Sequence, residues 1–313
     1  MKTSNKTLHL MGTVIKLYLV SENADMLLDK ASFMLANFEQ VFSANSDLSP
    51  LVALKETAYK APQKVPSTLF DLIKIGKAHS QTNDNLLNIA IGPLTRLWHI
   101  GFLDARIPSH EEIQAKLGLI KPENISLNEE NKTIFFEEKG MTIDLGAIAK
   151  GYFCDKIMAF FIENGATSAM VDLGGNVLVY GNSPKGKIDW EVGIQNPFLP
   201  RGNLVASVSI RNQSVVTSGI YERIFKIDGQ TYHHILDSKT GYPIKTNIAS
   251  LTIIADKSLD CDLYTTKFFG LDIGSILQNV NAIEGMAAIV ITTDGRMAHT
   301  SNLKGKIHHY SAL

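Results

Sequence analysis

A chain of 313 residues with a formal net charge of −1 has no basic surplus with which to hold nucleic acid or an anionic membrane. Hydrophobic residues make up 45% and charged residues 19%, an ordinary globular balance. No apolar run approaches the roughly 20 residues of a membrane-spanning helix, and two cysteines, Cys154 and Cys261, make neither a disulfide framework nor a zinc site and read as buried thiols.

In chain order, residues 8–20 read as two short strands around Met11-Gly12-Thr13. Apolar residues at helical spacing (Met26, Leu27, Ala31, Met34, Leu35, Phe38) predict a helix over Ala24–Phe42. Ser43–Pro50 reads as a polar loop, Pro66–Thr82 as a helix opening on proline, and Leu86–Pro93 as an apolar run closed by Gly-Pro. Residues 103–138 are more polar, with a short helix (Glu111–Leu117) and small strands, and make a candidate surface subdomain within one domain spanning 1–313. Ile143–Tyr152 reads as strand, small-residue turn and helix start, followed by an amphipathic helix from Tyr152 to Asn164. Ser168–Leu173 and Val177–Tyr180 are strands about the Gly174-Gly175 turn. The second half is richer in strands: Trp190–Ile194, Val205–Ile210, Tyr221–Ile227, Thr231–Leu236 and Ile248–Ile254. Asp228-Gly229 signals a hairpin between the third and fourth of these. Ser258–Phe269 is a helix and Ala287–Thr292 a late strand. The class is α+β, with mixed or antiparallel sheet packed by helices.

Several of these segments can carry chemistry. The turn in Ile143–Tyr152 places Lys150 and Gly151 at a helix start, where free N–H groups attract anions, with the carboxylate of Asp144 just before it. Asp262 and Thr266 lie four residues apart on a helix, so both oxygens share one face. Mg²⁺ accepts such hard donors while keeping waters and substrate phosphates, although the same spacing also serves a helix-start Asp with a packed Thr above it. His233 and His234 point to opposite sides of a strand, so one of them at most faces a given site. His234, leading into the polar turn up to Gly241, can act as a general base or as a hydrogen-bonded structural residue. Thr217-Ser218-Gly219 offers N–H and hydroxyl groups to phosphate, or is a plain turn. Gly92-Pro93 with Trp98 is either a rigid turn beside an anchoring indole or a ring-binding wall. There is no Walker loop, no dinucleotide glycine fingerprint, no His-Glu-x-x-His and no Gly-x-Ser-x-Gly. Residue chemistry alone therefore stops at an enzyme of metal and phosphate.

Taken together and in order, seven segments resemble the FAD:protein FMN transferase (ApbE) family. They are Met11-Gly-Thr13, Asn88-Ile-Ala-Ile-Gly-Pro-Leu-x-x-Leu-Trp98, Ile143-Asp-Leu-Gly-Ala-Ile-Ala-Lys-Gly-Tyr152, Asp172-Leu-Gly-Gly-Asn176, Thr217-Ser-Gly-x-Tyr-Glu-Arg223, His233-His-Ile-Leu-Asp-x-x-Thr-Gly241 and Asp262-x-x-x-Thr266. The resemblance implies an ApbE-like fold with a T-fold-related core. It implies an enzyme that takes FAD and Mg²⁺, cleaves the pyrophosphate, attaches FMN to a Thr or Ser hydroxyl of an acceptor flavoprotein and releases AMP. It further implies an acceptor with a Ser/Gly-Ala-Thr-type motif. The implied Mg²⁺ ligands are Asp262, Thr266 and the backbone carbonyl of Ala147. The implied FAD contacts are Met11, Leu86, Leu87, Asn88, Asp144, Lys150 and Ile235. His234 and Asp262 are the implied catalytic residues, with His234 activating the acceptor hydroxyl.

Departures from the family pattern bear on affinity and acceptor preference more than on the reaction class. Asn45 stands where many members place a stacking Tyr. Asp237-Ser-Lys-Thr-Gly241 replaces Asp-Pro-Arg-Thr-Gly, so Lys239 keeps a charge but not a bidentate fork, and Ile220 replaces a frequent Asp. Most relatives are exported lipoproteins, whereas Met1–Leu10 carries no signal or lipobox and reads as cytoplasmic; a trimmed leader would leave the same start. Two other readings compete. One is a Mg²⁺-dependent FAD pyrophosphatase that gives FMN and AMP. The other is a non-catalytic FAD-binding protein, which the presence of Asp262, Thr266, Lys150 and His234 disfavours.

Overall fold

The computed structural model describes residues 1–82, 85–184 and 186–310. Its centre is an eight-stranded sheet in the order Lys2–Leu10, Thr13–Ser21, Ser168–Leu173, Asn176–Gly181, Ser214–Gly219, Ile248–Ala255, Ala287–Thr292, Met297–His299. Every pairing in it is antiparallel. The class is therefore α+β as expected, with antiparallel rather than mixed strands.

Strand periodicity sets three layers. Alternate side chains go to opposite faces. Ile15, Leu17, Leu19, Val171 and Leu173 join one cluster with Leu28, Leu35 and Phe38 of the helix Ala24–Phe42 and Ile157 and Phe161 of the helix Ala149–Glu163. Val216, Leu251, Ile253, Ala288 and Val290 pack with Cys261, Ile276 and Val280 of the helices Ser258–Phe268 and Ile273–Asn281. The residues between them, among them Tyr18, Val179, Val215, Ile254 and Ile289, face a second sheet formed by Ile307–His309, Leu204–Ile210 and Trp190–Gln195. Covered on both sides, Ile248–Ala255 is buried along its whole length, including the small polar residues Ser250 and Thr252.

A satellite cluster of Leu94, Trp98, Ile100, Ile113, Ile120 and Leu236 joins the helices Gly92–Trp98 and His110–Leu117 to the hairpin Ile224–Ile227/Gln230–His233. Asp228 (φ 49°) and Gly229 (φ 77°) turn that hairpin as their sequence signals. Segment 103–138 is divided between two clusters: Ile113 and Ile120 lie in the satellite, while Ile125, Ile134 and Phe136 lie in the main core.

Some elements differ from expectation. The first two strands are longer, and Met11 (φ 55°) and Gly12 (φ 67°) alone make the turn between Leu10 and Thr13. The expected loop ends in a helix, Pro50–Thr57, capped by Ser49, which accepts from Leu51 N at 3.1 Å. The amphipathic helix Ile273–Asn281, capped by Asp272, was not foreseen. Ile143–Asp144 forms no strand, since Asp144 N donates to the Ile89 carbonyl of a short 3₁₀ turn at 2.8 Å instead of to a sheet neighbour. Both cysteines are free and buried. No helix among the described residues is long and apolar enough to cross a membrane.

Candidate active site

The helices Ala149–Glu163 and Ser258–Phe268 meet at their first turns. A Cβ on Gly151 would overlap the Ser258 carbonyl oxygen and crowd Leu259 Cα, so glycine here permits backbone to touch backbone. Across that contact Asp262, 6% exposed, accepts from Gly151 N at 2.6 Å through Oδ2 and from Asn176 Nδ2 at 2.8 Å through Oδ1. Burial raises the Asp262 carboxyl above its ordinary range, opposed by the charge of Lys150 and by these two donors.

The diversion of the Gly151 N–H has a consequence. In a regular helix it would donate to the carbonyl of Ala147, four residues back. It goes to Asp262 instead, and no other backbone N–H among the described residues takes its place. The unpaired Ala147 carbonyl, a buried carboxylate with lone pairs to spare and the half-buried Thr266 one turn beyond Asp262 are all hard oxygen donors. Among the described residues no group of three or more His, Cys, Asp or Glu could hold a metal ion. A sparse set of hard oxygens fits Mg²⁺, which retains waters and phosphate oxygens, and does not fit zinc.

Asp144 sits at the turn before this helix. Its Oδ1 accepts from Gly146 N at 2.8 Å and its Oδ2 from Thr95 Oγ1 at 2.9 Å. Its charge is felt by His234, whose backbone N donates to the Arg223 carbonyl at 3.2 Å and whose Nδ1 lies 3.4 Å from the same oxygen. A carbonyl only accepts, so Nδ1 carries the proton and Nε2 is left with a lone pair. Burial, and next the nearby Arg223, push the imidazole down to about 4, so it is neutral at neutral pH. His233, the last residue of the strand Gln230–His233, instead turns its Nε2 toward the Ile244 carbonyl at 3.1 Å, whereas His234 lies just past the strand end, short of the strand expected to run to Leu236.

Met11 N donates to Glu39 Oε1 at 2.5 Å, and the Met11-Gly12 turn abuts the Gly174-Gly175 turn, where a Cβ on Gly174 would overlap Thr13 Oγ1. Leu86 and Ile235 flank the same apolar cluster as Ile220 and Tyr264. Leu87 is buried at 3% exposure, leaving its backbone for any contact. Asn88 spends its side chain internally: Oδ1 accepts from Ala90 N and Nδ2 donates to the Ile120 carbonyl, both at 2.8 Å. An open cleft of about 510 Å³ is lined by Leu87, Asn88, Ser80, Ser238 and Lys239, within the size range of small-molecule sites, and by none of the metal donors.

Two ambiguous motifs resolve as structure. Trp98 is fully buried and donates Nε1 to the Gly241 carbonyl at 2.8 Å, so it anchors the turn after His234 rather than walling a ligand. Thr217-Ser218-Gly219 is not a turn: all three pair in register with Thr252, Leu251 and Ser250, and Thr217 shares a hydrogen bond with Thr252 at 2.7 Å. Asn176, Thr95 and Asp155 were missed as partners of the site. Asn176 closes a recognised motif, but nothing local marks it as a neighbour of Asp262, 86 residues away.

The three-layer α+β fold brings a buried carboxylate to the junction of two helix starts and holds a neutral histidine near Asp144, an arrangement of the kind found at enzyme sites rather than in a structural module. The ApbE family model matches residues 11–290, and the chain belongs to that family. It is 37% identical over 283 residues to an FAD:protein FMN transferase of Klebsiella pneumoniae, covering 90% of this chain and 87% of the relative. With one of Treponema pallidum it is 33% identical over 292 residues, covering 90% and 81%. The crystal structure of the ApbE protein of Thermotoga maritima superposes with a TM-score of 0.86 at 26% identity, covering 97% of this chain and 99% of that one.

Proposed function

We propose that this protein is a Mg²⁺-dependent FAD:protein FMN transferase, which moves FMN from FAD to a Thr or Ser hydroxyl of an acceptor flavoprotein bearing a Ser/Gly-Ala-Thr-type motif. Kinship at 37% identity across nine-tenths of the chain supports the reaction class. The observation that carries the chemistry is the hydrogen bond from Gly151 N to Asp262, which withdraws the donor from the Ala147 carbonyl and leaves three oxygens for one hard cation.

Asp262, Thr266 and the Ala147 carbonyl hold Mg²⁺, which when bound neutralises charge on the pyrophosphate and on the departing AMP. Lys150, at the helix start beside Asp262, adds a fixed positive charge for the phosphates. Asp144 is held rigid by Thr95 and Gly146 and offers hydrogen-bond acceptors to the dinucleotide. Met11, Leu86, Leu87, Asn88 and Ile235 line or support the path of FAD. The acceptor hydroxyl attacks the FMN-side phosphorus, its proton passes to Nε2 of His234, and the bond to the AMP phosphate breaks. His234 is neutral at pH 7, so its Nε2 lone pair is available for this proton, while a value of about 4 makes it a weak base.

The test is to incubate the protein with FAD, Mg²⁺ and a Thr-containing acceptor domain, then to read in-gel flavin fluorescence and acceptor mass. A mass gain of one FMN moiety, with AMP released, is expected. Free FMN without labelling would make it a pyrophosphatase, and tight FAD binding without turnover a carrier.

A further inference from the structure

The two helices that meet at the site both begin without a cap of their own. Ile148 precedes one and Lys257 the other, and neither makes a side-chain capping bond. The missing acceptors come from across the interface. Asp155 accepts from Ser258 N at 2.8 Å with Oδ1 and from Leu259 N at 3.0 Å with Oδ2. Asp262 accepts from Gly151 N at 2.6 Å. Each helix therefore carries the cap of the other, and the spacing is the same in both: Gly151 to Asp155 and Ser258 to Asp262 are each one turn. A residue and its i+4 neighbour share a face, so the two faces that meet present an N–H-bearing first turn and a carboxylate to each other.

We propose that Asp155 is a positioning residue for the metal site. Its two bonds, to successive N–H groups, fix both the axial position and the rotation of the helix Ser258–Phe268. That placement delivers Asp262 to Gly151 and so frees the Ala147 carbonyl to face the same ion. Asp155 touches neither metal nor substrate; it acts through the register of two helices. Loss of such a supporting contact costs metal affinity on the order of tenfold or more. The proposal rests on the Mg²⁺ reading above.

The experiment titrates Mg²⁺ calorimetrically into wild-type, Asp155→Asn and Asp155→Ala protein loaded with FAD and lacking acceptor, and separately measures FAD affinity without Mg²⁺ by flavin fluorescence. Asp155→Asn keeps the volume and one acceptor oxygen, so it folds and decides the matter if Asp155→Ala does not. The expected result is weaker Mg²⁺ binding in the order wild type, Asn, Ala, with FAD affinity unchanged. Ile157→Val, in the same helix but buried in the main apolar cluster rather than bonded to either helix start, serves as the control for general loosening and should bind Mg²⁺ as wild type does. Wild-type Mg²⁺ affinity in the Asn variant, or equal losses of FAD and Mg²⁺ affinity, would overturn the proposal. A wild-type protein that takes up no Mg²⁺ would overturn the metal reading itself.

Discussion

The roles proposed for Asp262 as metal ligand and for His234 as base each make a separable prediction. Asp262→Ala removes the carboxylate that both holds the cation and caps Gly151, so Mg²⁺-dependent labelling of the acceptor should vanish; full activity would exclude this residue as a ligand. His234→Gln should slow transfer by about 10²–10⁴-fold, the span of a lost general base, while FAD affinity measured by fluorescence stays near wild type. Equal loss of both would remove its role. The pH profile follows from burial. His234 sits at about 4 in the folded protein against 6.5 unfolded, so between those values the unfolded chain binds more protons. The stability contributed by neutral His234 is complete above about pH 6.5 and is lost as pH falls through about 4. Thermal melts across that window should show a steeper decline for wild type than for His234→Gln, and the acid limb of activity should lie well below 6.5.

Among the elements, the junction of the helices Ala149–Glu163 and Ser258–Phe268 is the least tolerant. Gly151→Ala adds a methyl where backbone meets backbone, and overpacking of this kind costs about 1–3 kcal/mol. A lowered melting temperature with weakened Mg²⁺ binding is expected; an unchanged melt would show that the helices can separate freely. Much of this element level was legible beforehand. The helix over Ala24–Phe42 and the Asp228-Gly229 hairpin follow from periodicity and turn chemistry, which are local. Legibility failed where partners are distant. Ile143–Asp144 has the composition of a strand, yet its N–H donates to Ile89, and Thr217–Gly219 has the composition of a turn, yet pairs along its whole length. Asp155 reads as one more polar residue on an amphipathic helix until Ser258 is placed against it.

At the scale of the molecule, the apolar clusters are extensive enough to hold the fold without a bound ion. The large sheet buries apolar side chains on both faces, and the proposed Mg²⁺ donors belong to the junction of two helices packed on one of them. Chelation should therefore abolish transfer while leaving the far-ultraviolet circular dichroism intact. Simultaneous loss of both signals would mean that the ion is structural. The chain by itself determined the family and the α+β class, because ordered short motifs and local periodicity carry them, and it marked Asp262, Thr266 and His234 as candidates. Which groups face one another was decided only by the tertiary structure. Asp262 meets Gly151 across 111 residues and Asn176 across 86, and Trp98 anchors Gly241 across 143. A spacing along the chain records which side of a helix a residue occupies; the layers packed around the sheet set what stands opposite it.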